Sequence, residues 1–197
     1  MIPKKGEAKM ENIADLIDSL HLERVLTLEE IPNVDLYVDQ VVQLFENSYS
    51  MTTRNEEEKV LTKTMINNYA KGKLFVPIKS KKYSKAHIIL ISLIYQLKGG
   101  LSINDIKSTL AGVNQKLVSD KTFDLDAFYE TALRLIDGDV QKVKEDIKNR
   151  AIEVEAEAEH FADPELEKVL LLITLVTISN AYRRVAEKIV DELNQAE

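Results

Sequence analysis

Cysteine and tryptophan are both missing from this chain of 197 residues, and glycine and proline are scarce, at six and four. Without cysteine there is no disulfide framework, no thiolate metal site and no thiol nucleophile, and one usual marker of secretion is gone. A reducing cytoplasm is the expected location. Few glycines and prolines beside 45% hydrophobic residues, with Ala, Leu, Ile, Val, Glu and Lys dominant, give the palette of helices rather than of sandwiches or barrels. The fold class expected is mainly α. Long apolar runs are also missing: Val169 to Ile178 holds two threonines, is half of what a bilayer crossing needs, and is followed by Arg183 and Arg184. It reads as a buried helix segment, with no membrane partner. Met1 to Met10 carries charge but no apolar region before small residues, so it does not read as a signal peptide.

The side chains of catalysis are thinly represented. Three histidines, at 21, 87 and 160, are scattered, and neither a glycine-rich phosphate loop nor a nucleophile elbow is present. One constellation stands out, Glu153, Glu155, Glu157, Glu159 and His160, in which Glu157 and His160 have the Glu-x-x-His spacing of di-iron bundles. Such a site wants a second copy and two further inward carboxylates; with neither in the sequence, and with carboxylates at every other position wrapping around a helix, a solvated acidic face is the reading preferred to a metal site. No enzyme activity, cofactor or metal is expected.

What is present is a segregation of charge. The net charge of −7 argues, taken alone, against nucleic acid. Yet Lys59 to Asn104 contains nine lysines (59, 63, 71, 73, 79, 81, 82, 85 and 98) and no acid, where average density predicts about eight acids. An acidic body carries one basic module.

Along the chain, a helix is expected from Glu11 to Leu22, then a connector at Thr27 to Pro32. Another helix should run from Asp35 to Phe45, with Val34, Tyr37, Val38, Val41, Val42 and Phe45 as its apolar stripe. The polar stretch Glu46 to Lys59 reads as a mobile loop. Thr62 caps a helix through Ala70, and Gly72 is placed to end it in a left-handed conformation. Leu74–Val76 and Lys81–Tyr83, around Pro77, suggest a two-stranded wing. Ser84 caps Lys85 to Leu97, too apolar all round for the surface and therefore the core of the module. Ser102 with Asp105 forms a capping box for a helix ending near Ala111, followed by a loop from Gly112 to Lys121. Asp124 caps a helix ended by Gly138, and Asp139 caps the next, striped by Val140, Val143, Ile147, Ala151, Val154, Ala158 and Phe161. Asp163-Pro164 opens a last helix to about Leu193. Its first half is apolar around the whole circumference, which implies burial on its own chain and on a second subunit.

The order helix, glycine turn, wing, helix, glycine, short capped helix resembles the winged-helix module of the MerR class of bacterial regulators. Asn67-Asn68-Tyr69-Ala70, then Gly72-Lys73-Leu74-Phe75-Val76-Pro77, stand where that class has its Arg-Tyr-Tyr-Glu helix and Gly-Leu-Leu turn. Lys81-Lys82-Tyr83-Ser84 is similar to the end of its wing, and Gly100-Leu101-Ser102-Ile103-Asn104-Asp105-Ile106 to its Gly-Phe-Ser-Leu-Glu-Glu-Ile. More closely, Ile31 to Val41 and Leu61 to Tyr69 resemble a bacterial family known as domain of unknown function 1836. The expected organisation is a helical extension over 1–30, a winged helix-turn-helix DNA-binding domain over 31–111, and a helical dimerisation region, with room for an effector that no residue pattern requires, over 112–197.

On that reading Lys63, Asn67, Asn68 and Tyr69 lie on a helix entering the major groove, where asparagine bonds adenine and tyrosine reaches phosphate. The plainer alternative is a polar surface helix with Tyr69 packed inward. Lys71, Lys73, Lys79, Lys81, Lys82, Tyr83 and Lys85 complete the expected DNA contacts, against the alternative of a merely soluble lysine-rich loop. Val169, Leu171, Leu172, Leu175, Ile178 and Tyr182 are the expected dimer interface. Two functions follow: a homodimeric regulator on double-stranded DNA, or a helical module whose basic face meets an acidic protein.

Overall fold

A computed structural model describes residues 13–55 and 57–195. Seven α-helices and two two-residue strands succeed one another among them: α1 Ile13–Ser19, β1 Leu36–Tyr37, α2 Val38–Tyr49, α3 Lys63–Lys71, β2 Lys82–Tyr83, α4 Lys85–Leu97, α5 Ile103–Ser119, α6 Leu125–Ala158 and α7 Pro164–Gln195. Contacts divide the chain into two compact units. The first holds Arg24–Leu135 and the described end of the chain from Arg183; the second holds the described residues up to Glu23 and Ile136–Tyr182.

The first unit is built on α4, where His87 to Ser92 and Ile94 are all buried. A helix buried on every side needs neighbours all round, and the buried faces of α2 (Val41, Phe45, Tyr49), α3 (Ile66, Tyr69) and α5 (Ile106, Leu110) belong to the same core. Two tyrosines fix where this unit begins. The hydroxyl of Tyr49 accepts from the Leu26 backbone N–H at 2.9 Å, and that of Tyr129 donates to the Leu26 carbonyl at 2.6 Å. Ser92 lies 2.7 Å from the Tyr129 hydroxyl, and since that hydroxyl donates to Leu26, Ser92 donates to it. An extended backbone segment with no ladder partner thus keeps both its polar groups satisfied inside a fully buried site.

The two strands pair antiparallel, Leu36 with Tyr83 and Tyr37 with Lys82. This corrects the expected wing: Leu74–Val76 is not a strand, and the partner of Lys82–Tyr83 comes from 45 residues upstream, before α2. Leu74 and Phe75 are instead buried in the core. The second helix consequently starts at Val38 and not Asp35, leaving Val34 and Tyr37 exposed, and it continues through Ser48 and Tyr49, both buried, where a loop was expected.

Other helices are longer than the sequence reading had them, for one physical reason. A glycine in a helix costs only about 1 kcal/mol against alanine, so an apolar stripe that stays in phase overrides it. Ile106, Leu110, Val113 and Leu117 run in phase past Gly112, and α5 continues to Ser119. Leu133, Ile136, Val140, Val143 and Ile147 run in phase past Gly138, and α6 is one helix of 34 residues. Asp139 caps nothing; its carboxylate pairs with Lys142 at 3.0 Å. In contrast α1 ends at Ser19, three residues early, because His21 takes a left-handed conformation. Its expected first residues, Glu11 and Asn12, lie outside the described residues, as does the segment Met1 to Met10.

In the second unit, Ile17 of α1, Ala151 and Ala158 of α6 and Leu171 of α7 are buried. Lys144 of α6 holds Asp18 at 3.5 Å and Glu23 at 2.8 Å. The run expected to be buried is not: Val169, Leu172, Ile173 and Val176 stay 45 to 60% exposed. By length and composition α7 is also apolar enough to cross a membrane, with an 18-residue window of mean hydropathy 1.4 of which 6% is buried.

Candidate nucleic-acid interface

Thr62 caps α3 through its side chain, which accepts from the Met65 N–H at 3.1 Å. With Ile66 and Tyr69 turned into the core, the 100° step of a helix puts Lys63, Thr64, Asn67, Asn68 and Lys71 on the opposite arc, and all five are exposed. This face has no acid of its own. Tyr69 packs inward, so it is removed from the expected contacts, and burial raises its phenol pKa. Thr64 belongs on the face and was missed, although its spacing of three and four from Asn67 and Asn68 is the signal that finds it.

The helix ends in a Schellman motif shifted by one residue from expectation. Leu74 N–H donates to Tyr69 O at 3.0 Å and Lys73 N–H to Ala70 O at 3.1 Å. Lys73, with φ of 58°, takes the left-handed position expected for Gly72, whose own φ is −72°. Glycine is needed at 72 for space: a Cβ there would lie 2.7 Å from Leu74 Cδ1.

A second tight turn follows. Ser80 and Lys81 both have positive φ, at 51° and 58°, and Lys82 N–H donates to Lys79 O at 2.9 Å. Two left-handed central residues make a type I′ hairpin turn, a form usually reserved for Asn-Gly. Neither residue here is glycine, so the turn carries strain, and it holds Lys79 and Lys81 exposed. Lys82 is half-buried, its ammonium 5.3 Å from the ring centroid of Tyr37.

Beneath the turn Tyr83, Phe75 and His87 meet edge to face, at 6.3, 5.7 and 6.0 Å. Tyr83, also among the expected contacts, is a core residue. His87 Nδ1 accepts from the Ser84 N–H at 3.1 Å, which leaves Nε2 to donate to Val76 O, also at 3.1 Å. Burial holds the imidazole pKa below its ordinary value, so the neutral tautomer is the one that staples the turn to α4. A shallow cleft beside it is lined by Asp35, Lys79 and Lys82.

Two further expected contacts are already engaged. Lys63 pairs with Asp39, and Lys85 with Asp126 at 2.7 Å. Both acids lie outside the acid-free window in sequence and inside its neighbourhood in space. Lys98, half-buried, donates to Val60 O at 3.0 Å and sits 4.2 Å from the Tyr95 ring, with its pKa lowered by burial. The exposed set is Asn67, Asn68, Lys71 and Lys73 at the end of α3, with Lys79 and Lys81 at the turn and Lys82 half-exposed beside them.

Residues 26–132 match a protein family described as Domain of unknown function (DUF1836). The chain belongs to that family. The match opens on Leu26, the residue clamped by the two tyrosine hydroxyls, and closes three residues after Tyr129, which supplies one of them. The α3 face and the strained turn both lie inside the DUF1836 region. No curated protein and no solved structure gives a match to the chain.

Elsewhere, Glu153, Glu155, Glu157, Glu159 and His160 are all exposed, and among the described residues no group of three or more acids or histidines is placed to hold a metal. Of the expected dimer residues, Leu171 is a core residue at 7% exposure, Leu175 and Ile178 are half-buried, and Tyr182, Val169 and Leu172 are exposed. Ile173 and Val176, outside the expected set, are also exposed. On α7 they stand with Val169 and Leu172 at spacings of i, i+3, i+4 and i+7, a single outward stripe.

Proposed function

We propose that this DUF1836 protein is a dimeric DNA-binding regulator of MerR-like winged-helix type, which lays the outer face of α3 in the major groove and sets the lysine turn against the phosphate backbone. The observation that carries the reading is the pairing of an exposed, acid-free helix face with a strained turn that holds lysines out. Strain in an exposed turn costs stability and persists where it positions something. Asn67 and Asn68 have the donor and acceptor pair that reads adenine, and Lys71, Lys73, Lys79, Lys81 and Lys82 supply the phosphate contacts. The element order β1, α2, α3, turn, β2, α4 supports a winged helix, with β1 fastening the base of the turn.

The stripe Val169, Leu172, Ile173 and Val176 supports the dimer. Fully burying a side chain of this kind is worth about 1.5–3 kcal/mol, and these stay 45 to 60% exposed among the described residues. A second copy suits this stripe better than a bilayer does. The uncharged run from Val169 to Tyr182 is 14 residues, about 21 Å as a helix, against about 30 Å of hydrocarbon. Neither catalysis nor a cofactor is part of the proposal.

The deciding experiment sequences the DNA fragments retained by the purified full chain from a random pool. Enrichment of a palindrome is the expected result, and Asn67→Ala should then cost about 1–3 kcal/mol on the enriched site only. Retention without enrichment, abolished equally by an acidic protein of similar charge density, would move the assignment to a protein-binding module.

A further inference from the structure

The second unit contains a groove of about 350 Å³ bordered by three helices: α1 and the turn after it through Leu16 and Leu20, α6 through Ile147, and α7 through Leu171, Leu172 and Leu175. Of the nine residues that line it, eight are apolar and one, Lys168, is charged. Among the described residues Lys168 makes no ion pair and no hydrogen bond. The other lysine close to α1 is fully used, since Glu23 and Asp18 raise the pKa of Lys144 by bonding to it.

We propose that this groove binds a single-chain amphiphile with an anionic head, a medium-chain fatty acid as its carboxylate. The volume lies in the range of small-molecule sites, which are mostly apolar with a few polar groups that fix orientation. A hydrocarbon without a head leaves the Lys168 ammonium without a counter-charge, and a cation is repelled by it. A ligand charged at both ends has to put its second charge against leucine and isoleucine, where an unpaired charge is costly. One apolar tail and one terminal anion satisfy every lining residue. Leu172 belongs to both the groove and the outward stripe, so a second copy seated on that stripe borders the groove along one edge, while Leu171 and Leu175 line it on the side of α7 away from Val169 and Ile173. The inference does not rest on the DNA-binding reading.

Since the chain has no tryptophan, Leu16→Trp on the full chain places a single reporter at the rim. It is titrated with dodecanoate, dodecanol and dodecyltrimethylammonium below their micelle concentrations. The expected result is a saturable blue shift with dodecanoate, one per chain, and an affinity about tenfold lower in Lys168→Met, the loss of one charge-assisted bond. Dodecanol should bind more weakly and be indifferent to that substitution. Lys168 is exposed, so the variant should keep its helicity by circular dichroism. Calorimetry on the unsubstituted chain repeats the measurement without the reporter. No saturable heat with dodecanoate, equal affinity for the cationic analogue, or an unchanged affinity in Lys168→Met would each overturn the assignment.

Discussion

The first unit and the outward face of α7 use the same residue types to opposite ends. Around α4, isoleucine and leucine are sealed from water, and the Leu26 backbone and the Ser92 hydroxyl that go in with them are paired, Leu26 by two tyrosine hydroxyls and Ser92 by one of these. On α7, Leu172, Ile173 and Val176 are as apolar and are more than half exposed. An apolar residue packed around α4 bears on folding; one on the outer face of α7 bears on what could cover it.

That difference is testable first by a matched pair of truncations. Ile91→Ala should lower the unfolding free energy in urea by about 2–5 kcal/mol, since it opens a cavity in a sealed core. Ile173→Ala should change the same quantity by less than about 0.5 kcal/mol at concentrations where the chain is monomeric, and should weaken self-association in sedimentation. Equal costs at the two positions would erase the distinction.

A smaller effect sharpens the account of how the first unit begins. Tyr129→Phe keeps the ring and strands the Leu26 carbonyl and the Ser92 hydroxyl, and should cost about 1–3 kcal/mol in chemical denaturation. Adding Ser92→Ala should recover part of that loss, because the orphaned hydroxyl leaves with it. A fully additive pair would mean that the hydroxyls do not act together.

The smallest expected effect concerns strain. Lys73→Gly should stabilise the chain by about 1 kcal/mol in thermal or urea unfolding, because glycine takes the left-handed position without a Cβ clash. Gly72→Ala, one residue away, should destabilise it, since the added Cβ meets Leu74. A reversal of the two signs would refute the Schellman assignment.

Strong local chemistry was legible from the sequence: the caps at Thr62 and Ser102, the helix start at Pro164, and α4 as core, each set by residues within a turn of one another. What the sequence hid was decided at a distance. The pairing of Leu36–Tyr37 with Lys82–Tyr83 involves two residues a side, too few for an alternation to show. Tyr69 and Tyr83 carry a polar tip and an apolar body, and spacing alone does not say which one wins. Lys63 and Lys85 seemed free because their window lacks acids, while Asp39 and Asp126 reach them from other helices. For α7, composition showed an apolar circumference, but which side of the helix faces its own unit depends on where Leu171 is buried.

The most direct test of DNA docking is a binding titration of the full chain on the enriched duplex at a series of salt concentrations, beside the double variant Lys81→Ala/Lys82→Ala. The expected result is a steep fall of affinity with salt in the parent chain and a log–log slope shallower by about two units in the variant, one for each phosphate contact removed, with helicity unchanged. A parent affinity indifferent to salt, or a folded variant with the parent's affinity and slope, would contradict docking through the lysine turn.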